Sequence, residues 1–132
     1  MRRNVTAAVI LSLFCLLFAC KKSEDVTVAG KGGNATLQIK PSHGSGEEVD
    51  NCMVYIKYNT LDMPADGVYD DSLLCNVVDG SPLAVFTNLH RGNYYLYGKG
   101  FNPDHNDEVK GGLPFHLDDE NGLYKLSMNL GH

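Results

Sequence analysis

From Asn34 onward, apolar residues recur at every second position between short runs of turn-forming residues. This period sends side chains to alternate faces of an extended backbone. No stretch of eleven or more residues carries the i, i+3, i+4 spacing of an amphipathic helix without a Gly or Pro inside it. Strands are therefore the way in which this chain can bury its apolar side chains.

Ala35, Leu37 and Ile39 alternate with Thr36, Gln38 and Lys40, and Pro41 with the Ser42–Gly46 loop ends that first strand. Between Val49 and Asn59, Cys52, Val54, Ile56 and Tyr58 share one face, and Met53, Tyr55 and Lys57 the other. Leu61 to Asp71 reads as a loop. Leu73, Cys75 and Val77 alternate into Asp79-Gly80, a pair suited to a tight hairpin turn. Leu83–Leu89, Tyr94–Phe101, a Val109–Leu117 strand broken at Gly111-Gly112 and Pro114, and Leu123–Leu130 follow. The pattern predicts an all-β domain over residues 34–132, an antiparallel sandwich of about seven strands with Greek-key or meander connections.

The first residues obey different rules. Arg2 and Arg3 precede Val5–Ala19, an apolar run interrupted only by Thr6 and Ser12. As a helix the run would reach roughly 22 Å, short of a hydrocarbon core of roughly 30 Å, so it reads as a cleaved export signal rather than a permanent span. It ends in Leu17-Phe18-Ala19-Cys20, followed at once by Lys21-Lys22-Ser23-Glu24-Asp25. This resembles the lipobox of bacterial lipoproteins. The resemblance implies a diacylglyceryl thioether on Cys20, cleavage behind Ala19, further acylation of the freed amine, and membrane attachment in the bacterial cell envelope or outer membrane. The charged stretch after Cys20 is similar to the tethers of surface-displayed lipoproteins. Residues 20–33, with Gly30, Gly32 and Gly33, are expected to form a flexible tether.

Removal of residues 1–19 leaves nine Lys and Arg against 16 Asp and Glu. A chain this acidic, with no basic cluster, lacks the electrostatic footprint that binding a phosphate backbone requires, so nucleic acid is not an expected partner.

Phe86, Leu89, Gly92, Tyr94 and Leu96 stand in the order F-x-x-L-x-x-G-x-Y-x-L. This resembles the signature of prealbumin-like sandwiches, the transthyretin-like and carboxypeptidase regulatory-like domains among them. The resemblance implies a tyrosine corner at Gly92 and Tyr94. The enzymes of that group depend on a Tyr-Arg-Gly-Ser ending, whereas this chain ends Leu130-Gly131-His132, so their chemistry is not expected here.

Of the four cysteines, Cys15 leaves with the signal and Cys20 is taken by lipid, which leaves Cys52 and Cys75. In an exported chain such a pair favours a disulfide, with two buried thiols as the alternative. Asp62, Asp66, Asp70 and Asp71 crowd one loop, and Asn102, Asp104, Asn106, Asp107 and Glu108 another. Both have oxygen ligands for calcium, yet neither has the spacing of an EF-hand, and solvated loops are the favoured reading. His43, His90, His105, His116 and His132 lie far apart in sequence with no paired-ligand spacing, so no metal site or cofactor is read from them. Tyr95 and Tyr97 share one face of their strand and are candidates for recognition, with ordinary cross-strand packing as the alternative. The expectation is a non-catalytic binding or accessory module for a protein or glycan partner. A structural spacer or assembly subunit working by strand addition is the alternative, and a hydrolase using loop carboxylates a weaker one.

Overall fold

The computed structural model describes residues 28–132, and these contain strands and turns with no helix. The strands are β1 (Gly30–His43), β2 (Asp50–Tyr58), β3 (Asp71–Leu74), β4 (Asn76–Val78), β5 (Ser81–His90), β6 (Gly92–Asn102), β7 (Asp107–Leu117) and β8 (Leu123–Leu130). They form two four-stranded sheets in the orders β4-β5-β1-β8 and β3-β2-β6-β7. The chain is a β-sandwich.

The inward faces carry the alternating residues. Leu37 and Ile39 of β1, Val54 and Ile56 of β2, Phe86 and Leu89 of β5, Leu96 of β6, and Met128 and Leu130 of β8 are all almost wholly excluded from solvent. Each such side chain contributes about 1.5–3 kcal/mol through removal of apolar surface from water.

Eight strands replace the expected seven because the Leu73–Val77 segment is two strands. β3 pairs with β2 in one sheet and β4 pairs with β5 in the other, so the chain changes sheets at Cys75. Period-two alternation continues through such a crossing and therefore cannot reveal it. Asp79 and Gly80, with φ of 50° and 80°, then make the left-handed turn into β5.

The pairing is not wholly antiparallel. β1 and β8 run parallel from Thr36↔Leu123 to His43↔Leu130. The topology requires this. β2 and β7 both flank β6 antiparallel and so point the same way. The chain reverses between sheets once after β1 and once before β8, which leaves those two strands codirectional.

Two boundaries also move. β1 begins at Gly30 rather than after a tether ending at residue 33, because Gly30 and Lys31 already pair with His90 and Leu89. It continues through Pro41, beyond the last β5 pairing at Ile39↔Ala84, where the ring nitrogen has an open flank. β7 is continuous through Gly111, Gly112 and Pro114, since it is an edge strand and a missing N–H there costs little.

Candidate functional site

The outer face of the β3-β2-β6-β7 sheet is built in rows by its register. Tyr55 of β2 lies beside Tyr97 of β6 and Ser72 of β3, Lys57 lies beside Tyr95, and Met53 lies beside Lys99 and Leu74. The loop after β2 returns Tyr69 to the same face. The Tyr69 and Tyr97 rings stack with centroids 6.0 Å apart and planes at 22°, and Tyr55 stands 5.4 Å from Tyr69 and 6.1 Å from Tyr97. All three are half-buried.

Tyr95 lies apart from this trio. It crosses toward β7, where Tyr97 pairs with Gly112, and a Cβ at Gly112 would fall 1.8 Å from the Tyr95 hydroxyl. Glycine makes the shelf on which that ring rests. Burial, followed by the neighbouring tyrosines, pushes the phenols of Tyr69 and Tyr95 above the ordinary tyrosine value. Their hydroxyls therefore remain donors well into the alkaline range.

Two shallow depressions flank Tyr55. One of about 400 Å³ is lined by Tyr55, Tyr69, Asp70, Asp71 and Ser72. The other, about 300 Å³, is lined by Met53, Tyr55, Lys99, Phe101 and Glu108 among others. The result is an aromatic ridge with polar groups on both sides. Asp70 Oδ2 accepts from the Tyr58 amide at 2.7 Å, with its other oxygen 3.7 Å from Lys57 Nζ. Asp71 Oδ1 accepts from the Ser72 amide at 2.8 Å. Asp66 accepts from the Val68 amide at 3.0 Å, and the Asp62 amide donates to Thr60 Oγ1 at 3.0 Å. The carboxylates of Asp66, Asp70 and Asp71 thus brace the backbone of this segment. Among the described residues, no three His, Cys, Asp or Glu side chains stand ready-made as a coordination shell.

Gly92 and Tyr94 occupy the crossing between sheets. Tyr94 is buried, and its hydroxyl donates to the His90 carbonyl at 2.5 Å and accepts from the Gly30 amide at 2.8 Å. Gly92 has a φ of 144°, and a Cβ there would lie 2.8 Å from that of Ala29. The corner therefore ties β6 to the end of β5 and to the start of β1. Tyr58 packs edge-on to Tyr94 with centroids 5.8 Å apart.

No disulfide joins Cys52 and Cys75, and both are free thiols. They meet where β3 ends, the Cys75 amide donating to the Cys52 carbonyl at 2.8 Å. Hydrogen bonding to Cys75, then burial, pushes the Cys52 thiol far above its ordinary value. The same bond lowers Cys75 against the effect of its burial. Cys52 Sγ also donates to the Met53 carbonyl at 3.9 Å, and the backbones of the two cysteines are set by the strand ladder. Cys20 lies outside the described residues.

The sequence did not signal two groupings. Tyr55 shares its outward parity with Met53 and Lys57, which is visible in the alternation, but the return of Tyr69 from a loop is not. The histidines are not all scattered in space: His43, His105 and His132 meet at one end of the sandwich, with ring centroids 4.8–6.4 Å apart. Comparison of the chain with protein-family models, known proteins and solved structures finds no match.

Proposed function

We propose that this chain is a lipid-anchored, non-catalytic binding module of a bacterial cell envelope, and that its tyrosine face takes a glycan. The single observation that carries the reading is the Tyr55–Tyr69–Tyr97 ridge, flanked by Asp70, Asp71 and Ser72 on one side and Lys99 and Glu108 on the other. Flat aromatic rings receive the C–H faces of a sugar at small entropic cost, and adjacent carboxylates, hydroxyls and an ammonium exchange hydrogen bonds with its hydroxyl groups. The turn-bracing of Asp66, Asp70 and Asp71 supports a binding rather than a hydrolytic use of that loop. The Leu17–Cys20 motif supports the anchor, and the two-sheet arrangement with Tyr94 at its corner supports a prealbumin-like reading of the fold.

The test is an oligosaccharide array probed with the full chain, followed by titration of the best binder. The chain has no Trp and seven Tyr, three of them in the ridge, so the part of the emission change that Tyr69→Ala or Tyr97→Ala abolishes reports on the face. Tyr69→Ala and Tyr97→Ala should each weaken binding about tenfold, the equivalent of about 1.4 kcal/mol. Absence of binding to every oligosaccharide, or binding indifferent to both substitutions, would refute the glycan reading. Intact-mass analysis of the membrane form should show acyl groups at Cys20 and loss of residues 1–19.

A further inference from the structure

We propose that His43, His105, His132 and Glu47 together form a binding site for a divalent first-row transition cation of the imidazole-preferring class, with Zn²⁺ as its reference member. The site is independent of the tyrosine face and belongs to different elements. His43 is the last residue of β1, Glu47 sits in the loop that follows, His105 lies in the turn between β6 and β7, and His132 lies just past β8. Parallel pairing of His43 with Leu130 brings the ends of β1 and β8 together, and the β6–β7 turn closes over them.

The protonation pattern is set by second partners. His43 Nδ1 stands 2.6 Å from the Leu130 carbonyl oxygen, which can only accept, so Nδ1 carries the hydrogen. The lone pair of a neutral His43 ring is therefore on Nε2, and Nε2 faces Glu47 Oε2 at 3.8 Å. His105 Nε2 approaches the same oxygen at 3.7 Å. His132 Nδ1 pairs with Asp107 Oδ2 at 2.7 Å, which likewise leaves its Nε2 free. A histidine held at one nitrogen by a carbonyl or carboxylate, with the other nitrogen free, is the arrangement found around metal-ligating imidazoles. Here two of the three rings are held by such groups on different elements.

Glu47 is positioned in the same way. Asn102, a fully buried polar residue, donates from Nδ2 to Glu47 Oε2 at 3.0 Å, while its own Oδ1 accepts from the Asp104 amide at 2.9 Å. A buried carboxamide thus fixes the carboxylate from below and also shapes the turn that delivers His105.

Neither His43 nor His105 is hydrogen-bonded to Glu47. A neutral His43 turns its Nε2 lone pair to a carboxylate oxygen, acceptor against acceptor, and the 3.8 Å between them exceeds hydrogen-bond reach and leaves room for a bridging cation. Around a tetrahedral ion with bonds of about 2.0–2.1 Å, donor atoms stand about 3.4 Å apart. As they stand, the four side chains do not form a group that could hold a metal ion, so binding requires ring movement. His105 is more than half exposed and its ring has room to turn inward, His132 can follow on its Asp107 partner because both side chains are exposed, and His43, whose side chain is 12% exposed, supplies the fixed corner. Three imidazoles and one carboxylate suit Zn²⁺, Cu²⁺ or Ni²⁺ rather than the all-oxygen demand of Ca²⁺.

The experiment uses the untagged full chain in detergent, titrated calorimetrically at pH 7.5 with ZnCl₂ and, separately, with CaCl₂. Zn²⁺ should bind one-to-one in the micromolar range, and Ca²⁺ should give no comparable heat. His105→Ala, His132→Ala and Glu47→Gln replace residues outside the apolar core, and each should weaken Zn²⁺ binding at least tenfold while the circular dichroism stays unchanged. His90→Ala is the control, because His90 forms a histidine–carboxylate pair with Glu120 at another place and should leave Zn²⁺ binding intact. No Zn²⁺ binding by the parent chain, equal binding by the three variants, loss on His90→Ala alone, or a preference for Ca²⁺ would each overturn the assignment.

Discussion

The Tyr94 hydroxyl satisfies two backbone groups at once, the Gly30 amide and the His90 carbonyl, at a site without solvent. Tyr94→Phe keeps the ring and abandons both partners, so it should lower unfolding free energy by about 1–3 kcal/mol in chemical denaturation. The phenols of Tyr94 and Tyr58 are both pushed above the ordinary tyrosine value, burial being the main cause in each. Between that value and the folded one, the native state holds protons that the unfolded chain has released. This contribution to stability is complete below about pH 10 and is lost as pH rises through the folded values. Urea midpoints measured from pH 8 to 11 should therefore fall at the alkaline end, and fall less in Tyr94→Phe. The thiols divide in a similar manner. Cys75, partly exposed and lowered by its partner, should be alkylated by iodoacetamide in the native chain, whereas Cys52 should react only after unfolding. Peptide mapping after a timed pulse distinguishes the two.

At the level of strands, two glycines separate stability from recognition. Gly92 adopts a φ of 144° with the Ala29 Cβ and backbone within 3.4 Å of where its own Cβ would be, so Gly92→Ala strains the corner and should cost about 1–3 kcal/mol. Gly112 meets only the far end of the Tyr95 side chain. Gly112→Ala should leave the thermal midpoint nearly unchanged, since that ring can move, yet shift tyrosine emission and alter oligosaccharide binding. The different legibility of these elements in the sequence has a physical basis. Alternation marks which residues of β2, β5 and β6 face inward, because burial selects them one by one. Asp79-Gly80 is legible because a left-handed turn restricts the residues that can form it. The split between β3 and β4, the early start of β1 and the continuity of β7 through Pro114 depend on which strand lies alongside, and pairing partners leave no period in the chain. The same reason hides Tyr69 from Tyr97 and His105 from His43.

Over the whole molecule, the two sheets are joined along both sides. On one side the chain itself crosses at Cys75 between β3 and β4. On the other, Lys110 of β7 and Gly131 beyond β8 exchange two backbone hydrogen bonds of 2.8 Å each. Three of the four edges are short or interrupted, β4 with three residues, β3 with four and β7 with Pro114, whereas β8 is an unbroken edge of eight residues. The first three offer a poor template for adding a strand from another chain, which leaves β8 as the edge where such an addition would have to occur. The same closure orders local stability. β1 lies between β5 and β8, and β2 and β6 lie inside the other sheet, so opening any of them disrupts two ladders and the shared core. β4 has one partner, and its Val77 is 74% exposed. Hydrogen exchange should therefore rank amides of β1, β2 and β6 as slowest, near the global unfolding free energy, with Asn76–Val78 fastest among the strands. Equal protection of β4 and β1 would mean that the sandwich opens only as one unit, and that the crossing at Cys75 transmits stability as well as chain.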